Sequence, residues 1–226
     1  MTEHIVAQRS PEWFALRCGR VSGSQAQHLL TALKSKTESA GRRDLRMLLA
    51  QERLSGLPDD GPTFVNADMQ RGMDMEPEAL VALEMTGVLP GAIRPVGYLT
   101  HDDLQAGYSP DGVAGLGFDT LVEVKCPRMA SHLEMFDLLL GTPERVPSKY
   151  VGQLTHALWL TGASSIHFGS YCPSFTRAPL FHVEVTRAMV DLDAYDALLR
   201  TFLDEVDTLV ARLDAQFPVK DVTRGV

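Results

Sequence analysis

Apolar and polar residues alternate along Leu121-Val122-Glu123-Val124-Lys125, and alternation of period two predicts a strand. Residues two apart on a strand share a face. Glu123 and Lys125 therefore project side by side, while Leu121, Val122 and Val124 help fix the strand. Similar patterning predicts strands over 93–100 and 104–108, joined at His101-Asp102-Asp103, and two more over 165–171 and 180–185. Helical spacing takes over elsewhere. Ser10, Pro11 and Glu12 form an N-cap, a first helical position and an acidic first turn, so a helix is expected to about Cys18, ending at Gly19. Val21-Ser22-Gly23-Ser24-Gln25 reads as a second cap leading into a helix over 25–33. Further helices are expected over 42–54, 67–85 (capped by Asn66), 129–140, 150–161 (capped by Ser148) and 188–215, with a loop over 142–147 and a loose tail from 217. Pro77 interrupts the 67–85 pattern and predicts a kink or a break, because proline removes a helix hydrogen bond and clashes one turn back.

This order of helices, strands, helix, strands and helix predicts a mixed α/β or α+β fold, a central sheet flanked by helices. A length of 226 residues fits one domain over the whole chain. Val151, Leu154 and Leu158 form an apolar stripe expected in the core.

Composition narrows the chemistry. With 45% hydrophobic and 22% charged residues the chain has an ordinary soluble globular composition. No apolar run approaches a membrane span. The N-terminal stretch lacks the basic and apolar regions of a signal peptide, so a cytoplasmic location, within a bacterial host, and no membrane partner are expected. The 3 cysteines, Cys18, Cys126 and Cys172, form no C-x-x-C pair, which argues against a zinc site, a four-cysteine cluster or a disulfide scaffold. The 7 histidines show no metal-ligand spacing, and His156 is expected to be a packed group. The formal net charge of −8 opposes non-specific nucleic-acid binding, since phosphate contacts need Lys and Arg. A DNA enzyme of this charge must concentrate its cations locally. Residues 34–46 do so: Lys34, Lys36, Arg42, Arg43 and Arg46 face only Glu38 and Asp44, which reads as a DNA-facing loop.

Candidate chemistry gathers around the strand at 121–125. Asp111 sits in a Ser-Pro-Asp-Gly turn, and Gly112, Gly115 and Gly117 allow the chain to turn back. Asp111 can then reach the face that carries Glu123 and Lys125. Two carboxylates beside one ammonium offer the hard oxygen ligands that suit Mg²⁺, or Mn²⁺ in its place. Separately, the Ser22-Gly23-Ser24 turn at a helix start points N–H groups and hydroxyls outward, a ready anion site, and Arg17 lies close by in sequence.

The Pro-Asp, then Glu-x-Lys arrangement resembles the PD-(D/E)xK nuclease superfamily. Over nearly the whole chain, the resemblance extends to the phage lambda exonuclease-like, YqaJ-type viral recombinase family. It rests on ordered segments: Trp13 to Arg17 with Val21-Ser22-Gly23-Ser24; Arg71-Gly72 with Met75-Glu76; Ser109-Pro110-Asp111-Gly112; Glu123-Val124-Lys125-Cys126-Pro127; and Tyr150-Val151-Gly152-Gln153 leading to Trp159. The resemblance implies a restriction-endonuclease-like core and a Mg²⁺-dependent exonuclease that processively digests linear duplex DNA from 5′ ends to mononucleotides. It implies a homotrimeric ring around the DNA and a single-strand annealing protein as partner. By position it implies Glu76, Asp111, Glu123 and the Val124 carbonyl as metal ligands. Lys125 would position and activate the attacking water, with Gln153 beside it. Arg17, Ser24 and Ser109 would hold the 5′-phosphate, and the 34–46 stretch would touch the duplex. Pro77 leaves Glu78 as an alternative to Glu76. Two other readings fit the same motif: a different PD-(D/E)xK nuclease, such as an endonuclease or RecB-like module, and a non-catalytic DNA-binding protein of the same fold.

Overall fold

In the computed structural model the described residues are 1–30, 38–59, 67–141 and 148–217. Lys34, Lys36, Asn66, the 142–147 loop and the tail beyond Phe217 lie outside them. A short strand β1 (Thr2–His4) leads to helix α1 (Pro11–Arg17), whose N-cap Ser10 accepts from the Trp13 N–H as its sequence predicts. The expected 25–33 helix begins later than its pattern predicts, and its last positions, 31–33, lie outside the described residues. Val21–Ser22 is a strand, β2, Gly23–Gln25 is a 3₁₀ turn, and the helix α2 spans Gln27–Leu30. Two long helices follow, α3 (Ala40–Ser55) and α4 (Ala67–Met85). Pro77 does not break α4, which continues through it as one element.

The stretch at 93–100 is two strands rather than one, β3 (Ile93–Arg94) and β4 (Tyr98–Thr100). Pro95 has no ladder donor, and the chain changes sheet across it. Strands β5 (Ala106–Tyr108), β6 (Gly112–Ala114) and β7 (Thr120–Lys125) come next. Gly115 and Gly117 adopt φ of 75° and 64° in the β6–β7 turn, the left-handed region open to glycine. The rest is α5 (Met129–Gly141), α6 (Val151–Thr161), β8 (Ser165–Tyr171), β9 (Leu180–Thr186) and α7 (Leu192–Gln216). Tyr150, not Ser148, caps α6, without a side-chain bond. A 3₁₀ turn at Arg187–Met189 delays α7 beyond its expected start.

These strands form two sheets. One is 5-stranded, in the order β3-β6-β7-β8-β9; the other is 4-stranded, in the order β1-β4-β5-β2. In the larger sheet β7 is antiparallel to β6 and parallel to β8. Leu121 joins a core with Leu154, Leu158, Leu199 and Phe202 from α6 and α7. Val122 and Val124 join a second core with Ala79 and Leu83 of α4. Both faces of β7 are thus covered, and full burial of such a side chain is worth about 1.5–3 kcal/mol. The fold is the mixed α/β arrangement that the order of elements predicts, with the larger sheet flanked by helices. Among the described residues no helix is long and apolar enough to cross a membrane.

His156 ties α6 to both neighbours. A carbonyl can only accept, so Nε2–H donates to the Gly107 carbonyl at 3.0 Å. Nδ1 then accepts from the Tyr195 hydroxyl at 2.6 Å. Burial lowers the imidazole pKa from 6.5 to about 4, against the opposing pull of the Gly107 carbonyl. Between those values the unfolded chain binds a proton that the folded chain refuses, so stability is lost as pH falls from about 6.5 towards about 4. In urea unfolding, the stability advantage of wild type over His156→Gln is expected to shrink by about 2–3 kcal/mol between pH 7 and pH 4.5. A constant difference across that range would contradict a neutral buried imidazole.

Candidate active site

The chain passes from the smaller sheet to the larger one through Ser109-Pro110-Asp111, between β5 and β6. Tyr108, the last residue of β5, and Asp111, just ahead of β6, are therefore both brought to β7. The β6–β7 ladder ends at the Gly112–Val122 pair, and beyond it the Asp111 carboxylate accepts the Val124 N–H at 2.7 Å. Glu123, only 1% exposed, is held by three donors. Tyr108 Oη donates to Oε2 at 2.5 Å. Lys125 Nζ donates to Oε1 at 2.5 Å, and Gln153 Nε2 of α6 donates to the same oxygen. Asp111, Glu123, Lys125 and Gln153, chosen from the sequence, are thus brought together.

Two glycines allow this approach. A Cβ on Gly152 would meet the Gln27 backbone at 2.5 Å, so α6 packs directly on α2 with Gln153 turned to Glu123. A Cβ on Gly23 would meet the Tyr108 ring at 2.8 Å. Tyr108 itself was not singled out from the sequence, because a tyrosine ending a strand reads as core, and only its hydroxyl partner distinguishes it.

Like charges crowd this site. Burial, then repulsion from Glu123 and Glu76, raises Asp111 well above the usual carboxylate range, against the opposing Lys125 and the Val124 N–H. Glu76 is also raised, by burial and by Glu123, with Arg9 and Lys125 opposing. Burial disfavours the Lys125 ammonium, but Glu123 and Asp111 outweigh it and hold its pKa above the ordinary lysine value. Glu76 therefore belongs electrostatically to the cluster. Glu78 is exposed and accepts from the Tyr171 hydroxyl at 2.6 Å. Arg71, from the Arg71-Gly72 pair, lies against Cys172 with Nη2–Sγ at 3.9 Å.

The donor set suits a hard divalent cation: carboxylate oxygens whose mutual repulsion a cation would relieve. Among the described residues, however, no three His, Cys, Asp or Glu side chains stand together as a ready ligand group. Both oxygens of Glu123 are engaged by hydrogen-bond donors in this arrangement.

A second cluster adjoins the first. Arg17 Nη2 donates to Ser22 Oγ at 2.9 Å and to Ser24 Oγ at 3.1 Å, and its guanidinium lies 5.0 Å from the Trp13 ring centroid. The Trp13 indole N–H donates to Ser109 Oγ at 3.3 Å, which donates in turn to the Gly97 carbonyl at 2.5 Å. Arg17, Ser24 and Ser109 are thus linked through Ser22, part of the expected anion turn, and through Trp13, which the sequence did not single out as a binding group. Burial lowers the Arg17 pKa, against Tyr98 and Glu52.

The basic stretch is less free than its composition implies. Arg42 makes a two-pronged pair with Glu205 of α7, 2.8 Å on each arm, and a third bond to Glu38 at 2.8 Å. Arg46 also binds Glu38 and Glu205, at 2.6 and 3.0 Å. Arg43 pairs with its neighbour Asp44, both exposed.

Comparison with known proteins agrees with this geometry. The profile of the YqaJ-like viral recombinase domain matches residues 12–164. The Escherichia coli protein ExoD is 26% identical over 78 residues, 34% of this chain and 90% of that protein. The fold is similar to the alkaline exonuclease LHK-Exo of Laribacter hongkongensis, with a TM-score of 0.74 and 27% identity over 92% of this chain and 97% of that one. The same enzyme in complex with dAMP matches with a TM-score of 0.71 at the same identity. A phage-related exonuclease from Haemophilus somnus shares the fold at a TM-score of 0.62 and 14% identity, over 86% of this chain and 96% of that one. A profile spanning more than half of the chain, on a PD-(D/E)xK core with Asp111, Glu123 and Lys125 converging, shows that this chain belongs to the YqaJ-like viral recombinase family.

Proposed function

We propose that this chain is a divalent-metal-dependent deoxyribonuclease that degrades one strand of linear duplex DNA from its 5′ end, releasing mononucleotides and leaving a 3′ single strand for annealing. The observation that carries this reading is the convergence of Asp111, from the turn ahead of β6, with Glu123 and Lys125 of β7 and Gln153 of α6, with Glu76 in electrostatic reach. Glu76, Asp111, Glu123 and the Val124 carbonyl would hold Mg²⁺, or Mn²⁺ in its place. The bound cation would supply Lewis-acid stabilisation of the attacking and leaving oxygens.

The chain's own residues do the rest. Lys125 keeps its ammonium charged inside the acid cluster, where negative charge develops as water attacks the phosphodiester. It also orients that water, with the Gln153 amide on the same side. Arg17, Ser24 and Ser109 take the 5′-terminal phosphate, so the end is captured ahead of the scissile bond. The Trp13 ring lies against the Arg17 guanidinium and helps to orient it. The dAMP complex of LHK-Exo supports a deoxynucleoside monophosphate as the product class. With Arg42 engaged by Glu205, Lys34, Lys36 and Arg43 are the cations proposed to meet the incoming duplex. A homotrimeric ring and an annealing protein as partner complete the proposal.

Lys125→Ala, and the milder Lys125→Gln, which can still donate to Glu123, are expected to lower cleavage at least a hundredfold to a thousandfold, roughly the effect of losing one charge-stabilising donor. Circular dichroism should stay native, and a folded variant that cuts at the wild-type rate would contradict this centre. Arg17→Ala is expected to slow digestion of 5′-phosphorylated ends at least about tenfold, the size of a charge-assisted hydrogen bond, and of 5′-hydroxyl ends less. Equal slowing of the two ends, measured side by side, would remove Arg17 from the terminal-phosphate role.

A further inference from the structure

Arg9 is the non-glycine residue that adopts the left-handed region among the described residues, at φ 66°. That conformation is unfavourable for an arginine and free for a glycine, so the backbone here has no need of this side chain. The turn is tight, with the Ser10 N–H donating to the Ala7 carbonyl at 3.1 Å. It is also clamped from both sides. Gln8 Nε2 donates to the Pro110 carbonyl at 3.1 Å, one residue before Asp111. Ser10 caps α1, the helix that carries Trp13 and Arg17. Arg9 is exposed, and among the described residues no carboxylate forms an ion pair with it. The Gln8–Pro110 bond holds the turn that bears Arg9 next to the Asp111 end of the acid cluster.

We propose that Arg9 is a substrate-binding residue, holding a backbone phosphate of the bound strand at the mouth of the acid cluster, on the side of Arg17. The assignment rests on the nuclease reading above and deepens it. A cluster of carboxylates repels the phosphates that it must approach. A cation at its rim offsets that repulsion, and a guanidinium fork matches two phosphate oxygens at once. The strained turn then has a function: it aims an arginine where glycine would fit better.

The glycine variant makes the test clean, because Arg9→Gly removes the side chain and relieves the backbone. Its melting temperature is expected within a few degrees of wild type. With a 5′-phosphorylated linear duplex and Mg²⁺, its KM should rise about tenfold, the size of one charge-assisted hydrogen bond. The slope of log(kcat/KM) against log salt should fall by about one, as expected when one phosphate contact is lost. Arg9→Lys should restore the slope and only part of the KM. A wild type that cuts, paired with an Arg9→Gly variant of unchanged KM and salt slope, overturns the role of Arg9 alone. A wild type that does not cut the duplex overturns the nuclease reading, and this assignment with it.

Discussion

A carboxylate removed from water is tolerated only where donors replace the water. Glu123 is such a group, and its donors come from three elements: Tyr108 at the end of β5, Lys125 on its own strand and Gln153 on α6. Removing one partner from a buried charge generally costs about 3–5 kcal/mol, so these elements are held in place around a single anion. The smaller sheet, the larger sheet and the helix meet there. Gly23 and Gly152 are small because the approach demands it: any side chain at either would push Tyr108 or Gln27 away.

The same constraint creates the chemistry. Glu76 and Asp111 are drawn into a cluster where burial and repulsion raise both. Such crowding works against stability, and acids perturbed together in one place are the arrangement that the proposed catalytic role calls for. Lys125 offsets part of the repulsion. Elsewhere charge is handled the ordinary way. Arg42 and Arg46 lie between Glu38 and Glu205, partly exposed pairs that contribute about 0–1 kcal/mol each. They change the surface more than the stability, because two arginines that look free in sequence are neutralised.

Much of this was legible in the sequence, and the reasons for the rest are physical. Period-two alternation alone places Glu123 and Lys125 on one face, and the Gly115–Gly117 turn returns the chain so that Asp111 reaches them. Ser10 and Pro11 mark α1 because their effects are local. Of the smaller sheet, β4 and β5 fall within predicted strands, but β1 and β2 are three and two residues long, too short for a period to show. The 93–100 segment reads as continuous by its apolar content, yet Pro95 moves it between sheets. Long-range pairing was the main thing hidden. Glu205 lies 163 residues from Arg42, and the Tyr108 hydroxyl finds Glu123 across 15 residues; neither separation leaves a trace in local pattern. Ser148 failed as a cap because Tyr150 takes that position without using its side chain.

The most direct measurement is digestion of a linear duplex carrying a distinguishable label at each 5′ end, with a covalently closed circle in the same tube, in Mg²⁺ and in EDTA. Early Mg²⁺-dependent release of the 5′ labels as mononucleotides, with single strand left behind and the circle intact, is the expected result. Cutting of the circle, or no cutting with either Mg²⁺ or Mn²⁺, would contradict a nuclease that enters at the 5′ end.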